Sequence, residues 1–267
     1  MAESVQDAAP PAAAAAGLLD AAELAAFARD GFVVRRGMLD GATLGNLVRW
    51  TEDLLHQPEI PGRHMVYGEP SLIDRGQRLI QRIENFCPFH PGFDAVLRQG
   101  PLIDAAAQLF GEPAVMFKDK INFKMPGGDG FKPHQDQQAG WSRYASLFIT
   151  ALVALDAATN ENGCLAIAGG QHRRGLLGPE WRPLEAEEMA GFELVPLPTS
   201  AGDVVFFDSY VPHASPPNLS PQQRRVLYVT YNRAAEGDHR ARYFAEKRQA
   251  FPPDVEREPG KRYVFRV

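Results

Sequence analysis

Apolar positions in LLDAAELAAFARDGF recur at helical spacing, with Leu24 and Phe27 on one side of a predicted helix. Asp20 is placed to cap it, and Gly31 to stop it just after Arg29. Phe32 to Arg35 then reads as a short strand. Further helices are predicted over Ala42 to Leu55 and over Leu102 to Leu109, the second ended by Gly111 and Pro113. Beyond that point the pattern changes to short β-prone runs, AVMF, INFKM, SLFITALVAL, CLAIA, FELVPL, DVVFF and RVLYVTYN, separated by Gly, Pro and Asn. Helices gathered ahead of short strands predict a mainly β protein with flanking helices (α+β), its strands forming a sandwich or barrel.

Residues 1–17 are rich in Ala and Pro and hold almost no large apolar side chains, so a disordered tail is expected there. No internal repeat or long linker divides the remainder, which predicts one domain over 18–267.

Composition narrows the function classes. The 267 residues are 45% hydrophobic and 23% charged, an ordinary globular balance. A net charge of −5 with dispersed Lys and Arg argues against nucleic acid as a partner, because phosphate-backbone binding needs a broad basic face. No apolar run approaches the roughly 18 to 20 residues of a membrane span, so no membrane partner is expected. The acidic start before the alanine tract does not read as a signal peptide. Cys87 and Cys164 form no metal-binding or disulfide pattern, and a cytoplasmic location is expected.

Chemistry concentrates in GFKPHQDQQAGW, where His134 and Asp136 form an H-x-D pair. On a strand or its edge, side chains two apart share a face, so both can reach one ion. By itself such a pair is weak evidence, because chance pairs are common and read more readily as hydrogen-bonded surface pairs. His213, between the strands DVVFF and RVLYVTYN, offers a second imidazole. Two imidazoles and one carboxylate leave the other positions of a metal open, which suits non-haem Fe(II) that must bind a cosubstrate and dioxygen. Arg224 follows His213 by eleven residues, and its guanidinium fork can hold the far end of a dicarboxylate. Arg225 is the competing clamp, although strand alternation sends its side chain to the opposite face. His172, in GGQHRRG, is a rival ligand that reads as a loop histidine.

FKPHQDQQAGW, NENGCLAIAGGQHRRG and HASPPNLSPQQRR, together with DGFVVRRGML and INFKMPGG, resemble the phytanoyl-CoA dioxygenase family of Fe(II)/2-oxoglutarate oxygenases. The resemblance spans nearly all of the chain after residue 17. It implies a double-stranded β-helix (jelly roll, cupin-like) with His134, Asp136 and His213 as the catalytic iron ligands and Arg224 clamping 2-oxoglutarate. It further implies Ser215 as a second contact to the same carboxylate and Lys118 and Asn122 as cosubstrate-binding side chains, a solvated lysine being the alternative for Lys118. O2 would be the second cosubstrate, succinate and CO2 products, and ascorbate the reductant in vitro. Retention of Asp136 implies hydroxylation and not the halogenation of relatives that replace this carboxylate by a small residue.

The substrate is expected to be a small molecule. Trp141 is readable either as a stacking surface at the mouth or as a core residue. Gln137, Gln138, Arg143 and Tyr144 are candidate polar contacts, and Arg82, entering from the helical side, is a candidate partner for an anion. The run FKDKINFKMPGGDGFKPHQDQQAGW is also similar to the bacterial branch that contains 2-aminoethylphosphonate dioxygenases. That similarity implies a zwitterionic amine or aminophosphonate, with a natural-product intermediate as the next choice. Two rivals remain: a cupin-like metalloenzyme, which would not need Arg224, and a non-catalytic binding protein, which would show a broken triad.

Overall fold

The computed structural model describes residues 18–264, so the expected tail over residues 1–17 lies outside the described residues. Helix α1 (Ala21–Asp30) begins with a complete capping box in which Asp20 and Glu23 satisfy each other's backbone N–H. Gly31, at φ 78°, closes it in the left-handed region, where a Cβ would also strike His172 and Val211. Strand β1 (Phe32–Arg35) and helix α2 (Gly41–Leu55) follow as the pattern predicts.

The stretch from 56 to 113 holds more structure than its pattern announces. Strands β2 (Met65–Pro70) and β3 (Arg78–Glu84) pair antiparallel, and helices α3 (Pro91–Arg98) and α4 (Pro101–Phe110) follow. β3 reads RLIQRIE, so charged side chains mask its alternation, and two of them, Arg82 and Glu84, prove to be cavity residues. AVMF and INFKM, expected as two strands, are one continuous strand β4 (Ala114–Lys124). The remaining strands are β5 (Phe131–His134), β6 (Phe148–Ala154), β7 (Leu165–Ile167), β8 (Val195–Leu197), β9 (Val204–Asp208), β10 (His213–Ser215) and β11 (Arg224–Arg233). Helix α5 (Arg240–Ala250) has a mostly polar sequence and no marked apolar stripe, which is why it escapes the pattern.

All pairings are antiparallel. One sheet runs β1-β9-β6-β11-β4-β3-β2 and the other β5-β10-β7-β8, the two walls of a jelly roll. The two faces of β11 part company. Leu227, Val229 and Tyr231 pack outward with Leu47, Phe93, Leu97 and Leu102 of the helices, and Tyr231 donates its hydroxyl to the Leu97 carbonyl at 2.8 Å. Val226 points inward and packs with Leu152, Ile167 and Phe207, which ties the two sheets together. Burying each large side chain of this kind contributes about 1.5–3 kcal/mol, so the helical layer and the inter-sheet core both hold the barrel wall in place. Among the described residues, no helix is long and apolar enough to cross a membrane.

Candidate active site

His134 ends β5 and faces His213 at the start of β10, where the two are direct register partners. Asp136 is not on the strand; it opens a short 3₁₀ turn, Asp136–Ala139. The turn, and not strand alternation, therefore brings its carboxylate back beside the imidazoles. The imidazole centroids lie 4.3 Å apart, and one ligand atom from each of the three residues falls within 4.8 Å of the others. His134 Nε2 and His213 Nε2 stand 3.9 and 4.0 Å from Asp136 Oδ1. These gaps are too long for hydrogen bonds and are of the size that one ion with bonds of about 2 Å can bridge.

Both rings are held in the required tautomer. Nδ1–H of His134 donates to the Lys132 carbonyl at 2.7 Å, and that of His213 to the Val211 carbonyl at 3.0 Å, which leaves both Nε2 lone pairs toward Asp136. Burial, followed by the neighbouring His213, lowers His134 to about 3, and burial lowers His213 as well, so both imidazoles are neutral donors at pH 7. Burial works against the Asp136 charge, but the positive groups facing it, Lys120 and Lys118 once the imidazoles are neutral, hold the carboxyl below its ordinary value. The Thr150 hydroxyl donates to Asp136 Oδ2 at 3.3 Å.

Arg224 opens β11 opposite Lys124 and is only 1% exposed, yet its Nε and Nη2 have no partner among the described residues. Two donors of a buried fork without an acceptor match a bidentate carboxylate. Arg225 leaves the other face of the strand and is saturated by Asp156 at 2.8 Å and Glu52 at 2.9 Å. Ser215 lies on this side too, its Oγ accepting from Lys124 Nζ at 2.7 Å. Asn122 is buried with an unpartnered Oδ1, and Tyr228 lies beside it and Arg224. Lys118 sits near the middle of β4, six residues or about 20 Å of strand from Lys124, with Nζ 3.9 Å from Glu84 Oε2 and in register with Thr230, whose hydroxyl bonds Thr150 beside Asp136. It lines the same cavity as His134 and Asp136.

A cavity of about 660 Å³ opens onto His134 and Asp136. Trp141 combines both of its readings: it is 2% exposed in an edge-to-face cluster with Phe117 (5.4 Å) and Phe148 (5.1 Å), and it also lines the cavity. Tyr144 lines the cavity and donates to Glu246 Oε2 at 2.6 Å. Arg82 lines it from β3, in register with Asn122, and so enters from the sheet and not from the helical side. Its guanidinium lies 4.2 Å from the Tyr67 ring, and its Nε donates to Glu84 Oε1 at 2.8 Å.

Gln137 departs from expectation. It is fully buried, accepts from Ser209 at 2.8 Å and donates to Ser142 and the Ala145 carbonyl, so its amide braces the 136–145 turn and is absent from the cavity wall. Gln138 donates to the carbonyls of Pro179 and Arg182, which fixes the loop carrying Trp181. His172 packs against α1 near Gly31, apart from the triad. Sequence reasoning missed Lys120, Lys124, Glu84 and Lys247. The first two were visible as KDKINFK, whose alternate residues Lys118, Lys120, Asn122 and Lys124 share one face of β4. Burial and the adjacent Lys118 lower Lys120 to about 8, and burial followed by Arg224 lowers Lys124 to about 6.

A jelly roll that gathers two neutral imidazoles and a carboxylate beside an unpartnered arginine fork defines the class: a non-haem, metal-dependent oxygenase using a dicarboxylate cosubstrate. The phytanoyl-CoA dioxygenase (PhyH) family matches residues 27–226, and the chain belongs to that family. It is 43% identical over 235 residues to a 2-aminoethylphosphonate dioxygenase of the uncultured bacterium HF130_AEPn_1, covering 88% of this chain and 89% of that one. With a methylphosphonate hydroxylase of Gimesia maris it shares 41% identity over 222 residues, 83% and 84% of the two chains. The crystal structure of EctD from S. alaskensis with 2-oxoglutarate and 5-hydroxyectoine shares the fold at a TM-score of 0.71 and 22% identity, over 84% of this chain and 79% of that one. The protein is an Fe(II)/2-oxoglutarate-dependent dioxygenase, and the donor set described above fits both groups.

Proposed function

We propose that the protein hydroxylates a carbon of a small phosphonate. One observation carries this reading. The cavity that reaches His134 and Asp136 is walled by Arg82, Lys118, Lys120 and Lys247, with Glu84 buried among them. A wall so rich in cations favours a small, highly charged anion. The reading agrees with the phosphonates named for the relatives at 43% and 41% identity.

His134, Asp136 and His213 would hold the iron, which with 2-oxoglutarate supplies the oxygen activation that yields hydroxylated product, succinate and CO2. The chain's own residues do the positioning. The Arg224 fork takes the far carboxylate of 2-oxoglutarate, with Ser215 beside it and Asn122 facing the same space. The carbonyls of Lys132 and Val211 keep the imidazole tautomers fixed. Trp141 and Tyr243 give the cavity an aromatic wall.

The test is succinate release from protein supplied with Fe(II), ascorbate and 2-oxoglutarate. The panel comprises methylphosphonate, 2-aminoethylphosphonate, and amines and acyl thioesters that lack phosphorus. Stimulation by the phosphonates with matching hydroxylated product is expected; stimulation by the phosphorus-free compounds alone would overturn the reading.

A further inference from the structure

Lys124 closes β4 in direct register with Arg224 at the start of β11, so both side chains leave the same face of the sheet and enter the space between the two walls. They are 2% and 1% exposed. Lys124 Nζ crosses to the other wall, where it donates to Ser215 Oγ at 2.7 Å and to the Pro216 carbonyl, with the Gly163 carbonyl at 3.5 Å. Three acceptors equal the three donors of an ammonium group. The segment that carries two of them is closely seated: a Cβ on Gly163 would strike the Pro216 carbonyl oxygen, and one on Gly130 the Ser215 carbonyl oxygen.

The Ser215 hydroxyl is the link to the cosubstrate. Its oxygen accepts from Lys124, so its hydrogen is left to donate in another direction, and no acceptor among the described residues takes it. Arg224 holds two unpartnered donors on the same side. A carboxylate at the Arg224 fork supplies an acceptor to both. Charge points the same way. The titratable groups that face Lys124 are Arg224, Glu69 of β2, Asp129 ahead of β5 and Cys164 ahead of β7. Glu69 is engaged by Gln81 and the Asp129 N–H, and neither carboxylate forms an ion pair with Lys124. Burial and then Arg224 therefore lower Lys124 to about 6, which leaves it mostly uncharged above that pH until a counter-charge arrives.

We propose that Lys124 is a positioning residue for 2-oxoglutarate: as an ammonium group it fixes the Ser215 oxygen, so that the hydroxyl donates to the carboxylate held by Arg224. The dicarboxylate neutralises the Arg224 charge that opposes the ammonium form, so its binding draws a proton onto Lys124. The assignment rests on Arg224 and Ser215 forming the carboxylate site described above.

The experiment is isothermal titration of 2-oxoglutarate into anaerobic, Fe(II)-loaded protein, in buffers of different ionisation enthalpy. The parent takes up about one proton per 2-oxoglutarate between about pH 7 and 8, and its affinity falls by up to about tenfold per pH unit across that window. Lys124→Met takes up none, loses the pH dependence and, at about pH 6.5, binds roughly tenfold more weakly than the parent. Ser215→Ala also binds about tenfold more weakly, and the double variant stays within about threefold of the weaker single one, because the two residues act through one contact. A lysine that only supports the fold would change the melting temperature and leave the proton count alone. Additive losses, or a Lys124→Met protein that binds and responds to pH as the parent does, overturn the inference and leave the Arg224 clamp standing. Unchanged affinity in Ser215→Ala overturns the place of Ser215 in the carboxylate site and the inference with it. Should Lys124→Met fail to fold, the parent decides: no proton taken up overturns the inference.

Discussion

The hydroxyl of Thr150, in the middle of β6, lies 3.3 Å from Asp136 Oδ2 and is itself bonded to Thr230 Oγ1 at 2.9 Å on the adjacent strand. A hydroxyl pair anchored in the barrel wall thus fixes one oxygen of the carboxylate and leaves the other toward the imidazoles. Groups that orient metal ligands in this way typically matter by ten- to a hundredfold in metal affinity. Thr150→Val is expected to weaken Fe(II) or Co(II) binding by about tenfold in an anaerobic titration, with Thr150→Ser close to the parent. Equal affinities for all three would show that the hydroxyl does not position Asp136.

The two adjacent arginines of β11 give opposite phenotypes. Arg224→Ala removes the unpartnered fork, so 2-oxoglutarate binding should weaken by roughly a hundredfold or more with little change in melting temperature. Arg225→Ala strips partners from Asp156 and Glu52, so it should lower the melting temperature and leave 2-oxoglutarate affinity within about threefold of the parent. Isothermal titration and thermal unfolding of both variants decide the matter, and a swapped result would reassign the clamp.

Lys124 supplies a pH dependence. Its folded value is about 6 because burial and Arg224 disfavour the charge, whereas an unfolded lysine titrates near about 10.4. Between these values the unfolded chain binds one proton more, so stability rises with pH across that window and the penalty is complete once pH falls to about 6. The slope contributed by this group approaches about 1.4 kcal/mol per pH unit, and Lys124→Met should remove that share. Urea unfolding at pH 7, 8 and 9 measures it; identical slopes in parent and variant would mean that Lys124 is charged when folded.

Gln137 is expected to act on stability and not on substrate. Gln137→Ala leaves Ser209 and the Ala145 carbonyl without their buried partner, a cost of about 1–3 kcal/mol. KM for the substrate should stay within about twofold of the parent, provided that the assay temperature lies well below unfolding. A large KM change in a protein of unaltered stability would return Gln137 to the substrate wall.

Much of this was legible in one dimension because the information was local. Asp20 and Glu23 cap α1 within a single turn, and the phase of β11 sends Arg224 inward and Arg225 outward whatever surrounds it. His134, Asp136, His213 and Arg224 announce themselves because metal and carboxylate chemistry demand those side chains, and the residues around them carry the family's motif. Other features belong to the tertiary structure alone. Strand β3 and helix α5 lack clean periodicity because Arg82, Glu84 and Lys247 spend polar positions on the cavity, and only barrel closure brings those three beside Lys118. Gln137 was misplaced for a related reason: one turn decides which partners its side chain meets, and that is not written in its neighbours. Sequence determined the residues capable of the chemistry; the fold decided which charges share a low-dielectric space, where pairing sets what the site will bind.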